Sequence, residues 1–295
     1  MRLLPTITRS LLFAARASSA GVGIVGSANA VKKPSFSAPP GTAEVEDQTP
    51  LAPLGPHCNV LVVGGTRGIG LEFCRQLTDK KCNVIATHRE AEPPPALASL
   101  GAKTLRMDVA DEASIAAAAA SLRSDGVSLT HIVHNAGIYG PKGTLDGRER
   151  QGRAAAPPVT KEHMLEAFEI NAIGPLLVAQ NFAPLLAPSG AQTMPVLAIL
   201  TSKVGSIDDN GSGGAYAYRT SKAAVNQIAK SLYIDLEEQA TVVLLHPGFV
   251  QTDMTNGAGL ITADVSVAGL LKAIEATGPE TPFRFVDFAG KRIPW

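Results

Sequence analysis

Cysteine is scarce: Cys58, Cys74 and Cys82 are the only three in 295 residues, with no paired spacing. That argues against a disulfide frame or a zinc site and fits small buried thiols in a reducing compartment. Excess charge is absent too, since 26 basic and 26 acidic residues cancel. No electrostatic reason remains to expect nucleic acid or an anionic membrane surface as a partner. Long apolar runs are missing. The longest weakly polar stretch, "SAGVGIVGSANAV", is interrupted by glycine and serine, and it falls well short of the ~20 residues a spanning helix needs. His131 and His134 stand three apart on an expected strand, so they point to opposite faces and cannot share a metal. No metal site is expected.

Acidic residues are missing from one region entirely. Residues 1–43 contain Arg2, Arg9, Arg16, Lys32 and Lys33 and no acid; Glu44 is the first. In "MRLLPTITRSLLFAARASSA" the arginines recur every seven residues among leucine, phenylalanine and serine. On a helix this makes a basic edge beside an apolar face, the composition of an organelle transit peptide. A mitochondrial presequence is expected. A plastid transit peptide is the next reading, then a tail with no address, which would leave the protein cytoplasmic; a secretory signal is a further alternative. "KKPSFSAPPGTAEVEDQTPLAPLGP" then reads as a Pro-rich linker. Residues 1–56 are thus expected to be disordered, and 57–295 to form one domain starting near His57.

Beyond His57 the pattern alternates. "NVLVVGG" reads as a buried parallel strand, "GIGLEFCRQLTDK" as a helix and "NVIATHR" as a second strand. "AKTLRMDV", "LTHIVHNAG", "PVLAILTSK", "TVVLLHPG" and "PFRFVDF" supply five more strands. Helices are expected over "EASIAAAAASLRS", 161–186, 215–239 and "ADVSVAGLLKAIEAT". Strands alternating with helices of this length predict an α/β fold, one doubly wound Rossmann-type domain with a seven-stranded, mainly parallel sheet. Two stretches break the rhythm, 139–158 and 251–262. Both are polar loops after strand ends, the rim where such sheets bind ligands.

The turn "VGGTRGIGLEF" joins the first strand to the first helix. Gly64, Gly68 and Gly70 allow a sharp backbone turn close to a pyrophosphate, and the helix start aims free N–H groups at it. The spacing is G-x-x-x-G-x-G rather than the usual dinucleotide fingerprint. A ligand-free tight turn is the competing reading, and position in an alternating domain favours the nucleotide. The second strand ends Thr87, His88, Arg89 with no acid at its tip. Arg89 there, and Arg67 inside the turn, suit a 2′-phosphate, so the expected cofactor is NADP(H). Either arginine could instead be solvated, and Glu90 lies close by.

In "AYAYRTSKAAVNQIAKSL" Tyr218 and Lys222 are four apart and share a helix face. Tyr216 and Tyr233 have no lysine four positions on. A fixed ammonium favours phenolate, and a downward shift of about three units amounts to roughly 4 kcal/mol. Alone, Tyr218 reads as a boundary tyrosine, Lys222 as a solvated lysine, Asn171 as a kink or cap, and Ser202 as a strand-end cap.

Together, Gly64-x-x-x-Gly68-Ile69-Gly70, Asn135-Ala136-Gly137, Asn171, Ser202 and Tyr218-x-x-x-Lys222 resemble the short-chain dehydrogenase/reductases over residues 58–295. More narrowly, "GSGGAYAYRTSKAAVNQ", "HPGFVQTDM" and "AGKRIPW" look like the C-factor-like carbonyl reductases of that family. The resemblance implies that Tyr218 protonates the carbonyl oxygen while Lys222 binds the nicotinamide ribose and lowers the phenol pKa. It implies that Ser202 holds the substrate oxygen and Asn171 a water leading to Lys222. It places Thr66, Arg67 and Ile69 with the glycines on the phosphates, Asp108 and Val109 at adenine, and Asn135, Ala136 and Gly137 along adenosine. Pro247, Gly248, Val250 and Thr252 would grip the carboxamide. The resemblance also implies homodimers or homotetramers paired through 161–186 and 215–239.

Two departures stand out: "VGG" where many members have Thr before the first glycine, and "HNAG" for the commoner "NNAG". The 139–158 stretch is longer and more charged than expected, and reads as a lid, a partner surface or a disordered insert. The expected activity is NADPH-dependent reduction of a ketone, aldehyde or quinone. The alternatives are a non-catalytic NADP(H) sensor or scaffold and an NAD-linked alcohol dehydrogenase.

Overall fold

A computed structural model describes residues 45–150, 152–190 and 194–295. The expected presequence lies outside the described residues. Seven strands form one sheet in the order β3-β2-β1-β4-β5-β6-β7, every neighbouring pair parallel. They are β1 (Asn59–Val63), β2 (Asn83–His88), β3 (Lys103–Arg106), β4 (His131–His134), β5 (Val196–Leu200), β6 (Thr241–His246) and β7 (Phe285–Asp287). The chain winds outwards from β1 to β3, returns to β4 and then winds the other way. The switch point is between β1 and β4, where open parallel sheets bind ligands beyond their carboxyl ends.

The helices are α1 (Gly68–Asp79), a short α2 (Pro95–Ala98) not expected from the sequence, α3 (Glu112–Ser124), α4 (Lys161–Phe168), α5 (Gly174–Phe182), α6 (Tyr216–Asp235) and α7 (Ala263–Glu275). Strand side chains alternate between two apolar layers. Leu61, Ile132, Leu197 and Leu244 face α3, α5 and α6 on one side; Val60, Val62, Val133 and Val243 face α1 and α7 on the other. Full burial of each such side chain contributes about 1.5–3 kcal/mol, which fixes the register and hence which residues arrive at the sheet's rim.

Three expectations need correction. The helix expected over 161–186 is interrupted by a π turn at Glu169–Ile173, between α4 and α5. One extra residue in that turn swings Asn171 inwards, where it is buried. The folded body also begins upstream of His57. Val45 bridges to Lys291, Glu46 forms ion pairs with Arg284 and Arg292, and Leu51 and Ala52 donate to the Glu275 carbonyl. Glu46 is the physical reason: it neutralises Arg284, a guanidinium buried to 5% exposure. Finally, the 139–158 loop is no disordered insert. Thr144 pairs with Pro158, and Arg153 anchors the loop to the carbonyls of Ser212 and Gly213.

Cys58, Cys74 and Cys82 are buried and free. No helix among the described residues is long and apolar enough to cross a membrane, and none of their side chains cluster as a metal site.

Candidate active site

A cleft opens over the switch point. Its floor is the turn between β1 and α1, with Gly64, Thr66, Arg67, Gly68 and Ile69 exposed to it. Gly64 sits at φ +81°, a left-handed conformation, and a Cβ there would lie 3.0 Å from the Ala136 Cα. At Gly70 a Cβ would fall 2.0 Å from the Gly64 carbonyl oxygen and 2.6 Å from the Asn135 amide nitrogen. Gly70 does not line the cleft; it closes the turn beneath it. Asn135 ties the same turn by donating to the Gly64 carbonyl at 2.8 Å. Asp111 and Thr160 cap α3 and α4 with their side chains, but Arg67 at the start of α1 does not, and that first turn carries no acid. The free N–H groups there suit an anion.

The cleft walls are Thr87–Glu90, Asp108 with Val109, Asn135 to Ile138, and Thr252 to Met254. Arg89 and Arg67 both reach it, as the sequence predicts. Arg67 lies 3.3 Å from Asp253, both side chains about three-quarters exposed, so the pair is weak and leaves the guanidinium available. Glu90 accepts from the Arg89 backbone N–H, which places an acid beside the expected cation. Pro247, Gly248 and Val250 are not on the cleft surface. The Pro247 carbonyl takes Ser266, Gly248 packs against Ile261 and Phe288, and Val250 is buried. Of the expected carboxamide loop, Thr252 alone faces the cleft. The sequence reading missed Met107, Ile138, Ile170, Asp253 and Met254, apolar or generic residues with no chemical signature.

Past Ile138 the second half of the site begins. Ser202, at the end of β5, hydrogen-bonds the Tyr218 phenol. Lys222 is buried one turn along α6, its Nζ 5.9 Å from the Tyr218 ring centre and 3.1 Å from the Leu200 carbonyl. The two side chains therefore share a face. Asn171 Oδ1 accepts from the Ile138 N–H at 2.9 Å, and its Nδ2 donates to the Ile138 carbonyl and to Ser221. The π turn thus clamps the strand-end segment against α6. Tyr139, missed by the sequence reading, packs on Tyr218 with ring centres 4.8 Å apart and planes tilted by 30°.

The expected lowering of the phenol pKa is not found. Burial pushes Tyr218 up to about 12, and the only downward pull comes from the Ser202 hydrogen bond. Lys222 is turned to a carbonyl rather than to the phenol. Burial takes its own pKa down to about 8.

On the far side of Tyr218 lies a second cavity of about 460 Å³, walled by the 139–158 loop, Ser212–Ala215 and Tyr216. That volume is in the range of small-molecule sites. The cleft thus suits an anionic dinucleotide, and past it stand a protonated phenol, a buried cation and an adjoining small-molecule cavity.

The family model described as short chain dehydrogenase matches residues 58–260. The chain belongs to this family of oxidoreductases. It is 36% identical over 243 residues to the 1-hydroxy-2-glutathionyl-2-methyl-3-butene dehydrogenase of Rhodococcus sp. (strain AD45), covering 80% of this chain and 99% of that one. It is 44% identical over 133 residues to the C-signal of Myxococcus xanthus, covering 45% and 78%. Among solved structures it resembles a carbonyl reductase from Pseudomonas aeruginosa PAO1 in complex with NADP, with 27% identity, TM-score 0.66 and coverage of 81% and 100%. The sequence-derived likeness to carbonyl reductases of this family stands.

Proposed function

We propose that the enzyme reduces a ketone, aldehyde or quinone to an alcohol with NADPH, and that Tyr218 donates the proton. The observation that carries this reading is the position of the phenol. It lines the second cavity against Tyr139, the residue after Ile138 at the end of the dinucleotide cleft, with Lys222 Nζ 5.9 Å from its ring centre.

In this reading Gly64, Thr66, Arg67, Gly68 and Ile69 hold the pyrophosphate, with Gly70 closing the turn beneath them, and Arg67 and Arg89 take the 2′-phosphate. Asp108, Val109 and Asn135–Gly137 line the adenosine side, and Lys222 and Thr252 the nicotinamide end. Bound NADPH supplies the hydride. The chain supplies the rest. A phenol near 12 carries its proton at pH 7, the form a reduction consumes. Lys222, near 8, is roughly nine-tenths charged at that pH. Once the proton leaves, the phenolate has an ammonium 5.9 Å from its ring centre. Lys222 therefore acts on the charged state formed during transfer more than on the resting phenol. Ser202 orients the carbonyl oxygen, and Asn171 keeps Ile138 and Ser221 in register around it, with a water path to Lys222 as its proposed further role.

A second reading is NAD-linked oxidation of an alcohol, favoured by Glu90 at the β2 tip. A panel of ketones, aldehydes and quinones, assayed with NADPH and with NADH, separates the two. Tyr218→Phe is expected to lower kcat by about 10²–10⁴ while NADPH still binds. Full carbonyl-dependent oxidation of NADPH by that variant would end the mechanism. We also propose that copies pair through α4–α5 and α6, where Leu165, Ile173 and Ile234 are exposed; a stable monomer in light scattering at micromolar concentration would refute it.

A further inference from the structure

The cavity next to Tyr218 is built to hold a negative charge. Five of its lining residues are cations, Lys142, Arg148, Arg150, Arg153 and Arg219, and no carboxylate lines it. Asp146, just outside, engages Arg150 at 2.6 Å and Arg148 at 3.8 Å. Among the described residues, no ion pair is formed by the other three cations. Two of these are fixed in place. Arg153 donates through Nη1 to the Ser212 and Gly213 carbonyls, so its guanidinium lies along the segment that leads into α6. Arg219 follows Tyr218 directly, donates to the Val204 carbonyl at 3.1 Å and to Ser212 Oγ at 2.7 Å, and leaves a buried Nε without a partner. Carbonyl and hydroxyl acceptors orient a guanidinium but leave its charge uncompensated, and a buried N–H without an acceptor is costly.

We infer that the enzyme prefers substrates carrying a carboxylate at the end remote from the reacting carbonyl, with Arg153, Arg219 and Lys142 as its recognition residues. The inference rests on the reductase reading above and names the substrate class of the same site. Apolar contacts from Tyr139, Leu145 and Ala154–Ala156 would bracket the carbon skeleton between the two ends. A guanidinium fork suits a carboxylate, and charge-assisted hydrogen bonds are the stronger kind.

The test compares 4-formylbenzoate with its methyl ester, two aldehydes with the same reacting group, using NADPH and the full chain. The acid is expected to have the higher kcat/KM by about tenfold or more, as one charge-assisted pair allows. That ratio should shrink as salt is raised from about 0.05 to 0.5 M. In Arg153→Gln the ratio should collapse towards one, with KM for the acid moving more than kcat. Lys142→Gln, at an exposed position, should lower it by about threefold. An acid no better than its ester, or Arg153→Gln scaling both equally, overturns the inference and leaves the reductase standing. If neither aldehyde is reduced, calorimetry with terephthalate decides. Binding weakened about tenfold by Arg153→Gln supports the anion site, and no binding overturns it.

Discussion

The two halves of the site are made of different material. On the β1–β2 side the cleft is shaped by main chain: glycines and a helix start with no side-chain cap. On the β5–α6 side it is shaped by side chains whose protons and charges are set by burial: Tyr218 up to about 12, Lys222 down to about 8. The first half should tolerate changes of charge and fail on an added methyl. The second should tolerate small changes of volume and fail when a proton or a cation is removed.

Gly70→Ala tests the first half most severely. Its Cβ would lie 2.0 Å from the Gly64 oxygen, so the turn must open. NADPH should bind more than about a hundredfold more weakly, a loss near 2.7 kcal/mol, while Tyr218→Phe leaves binding close to wild type. Titration of NADPH fluorescence reads both. Tight binding by Gly70→Ala would erase the contrast between the halves.

The second half is probed by pH. In the proposed mechanism Lys222 must be charged to support the phenolate, and burial lowers its pKa to about 8. Carbonyl reduction should therefore hold steady through neutrality and fall about tenfold per pH unit above 8. Tyr218, near 12, stays protonated across that range and contributes no break of its own. A profile level to pH 10 would show that the ammonium is not required.

Much of this arrangement is legible in the sequence, for identifiable reasons. Apolar runs mark β1, β2, β5 and β6 because those strands are buried on both faces, whereas β3, Lys103–Arg106, has no buried residue and is legible only from its place in the alternation. Glycine spacing marks the phosphate turn, and four-residue spacing places Tyr218 and Lys222 together. What escapes is long-range or single-residue. Nothing in a helical periodicity reveals the one extra residue that turns Asn171 inwards. Glu46 sits in a Pro-rich stretch and looks like linker until Arg284, far along the chain, is seen to need a counter-ion. Tyr139 meets Tyr218 only through tertiary packing. The 139–158 loop shows its charges in the sequence, yet which of them Asp146 neutralises depends on a fold no local pattern encodes.

The arginines on the cleft rim give a smaller effect. Arg89→Ala and Arg67→Ala should both reduce the preference for NADPH over NADH, Arg89→Ala by about fivefold, the scale of an exposed cation against a phosphate. The Arg67 effect should be the lesser, because Asp253 already faces it. Unchanged dissociation constants for both nucleotides would move the 2′-phosphate, or its absence, elsewhere, and would favour the role of Glu90 at a ribose hydroxyl.

The two halves meet at β4, and there the least change is expected in activity and a measurable one in stability. His134 is fully enclosed. Burial, helped by the nearby Lys222 charge, lowers its pKa from 6.5 to about 3, and burial takes His246 to about 4. Both are neutral in the folded chain, whereas the unfolded chain takes up their protons below pH 6.5. Stability is therefore unaffected above 6.5 and lost as pH falls from there towards 4, by roughly 1.4 kcal/mol per pH unit for each histidine. Denaturant unfolding at pH 7, 6, 5 and 4.5 reads that slope. His134→Asn removes one titrating group, so its slope should be shallower by about 1.4 kcal/mol per unit, whatever the variant's absolute stability. An identical slope would mean that His134 is reached by water and protonated in the folded state. The β4 seam would then be wet, and the dry environment that sets Tyr218 and Lys222 apart from the nucleotide half could not extend to it.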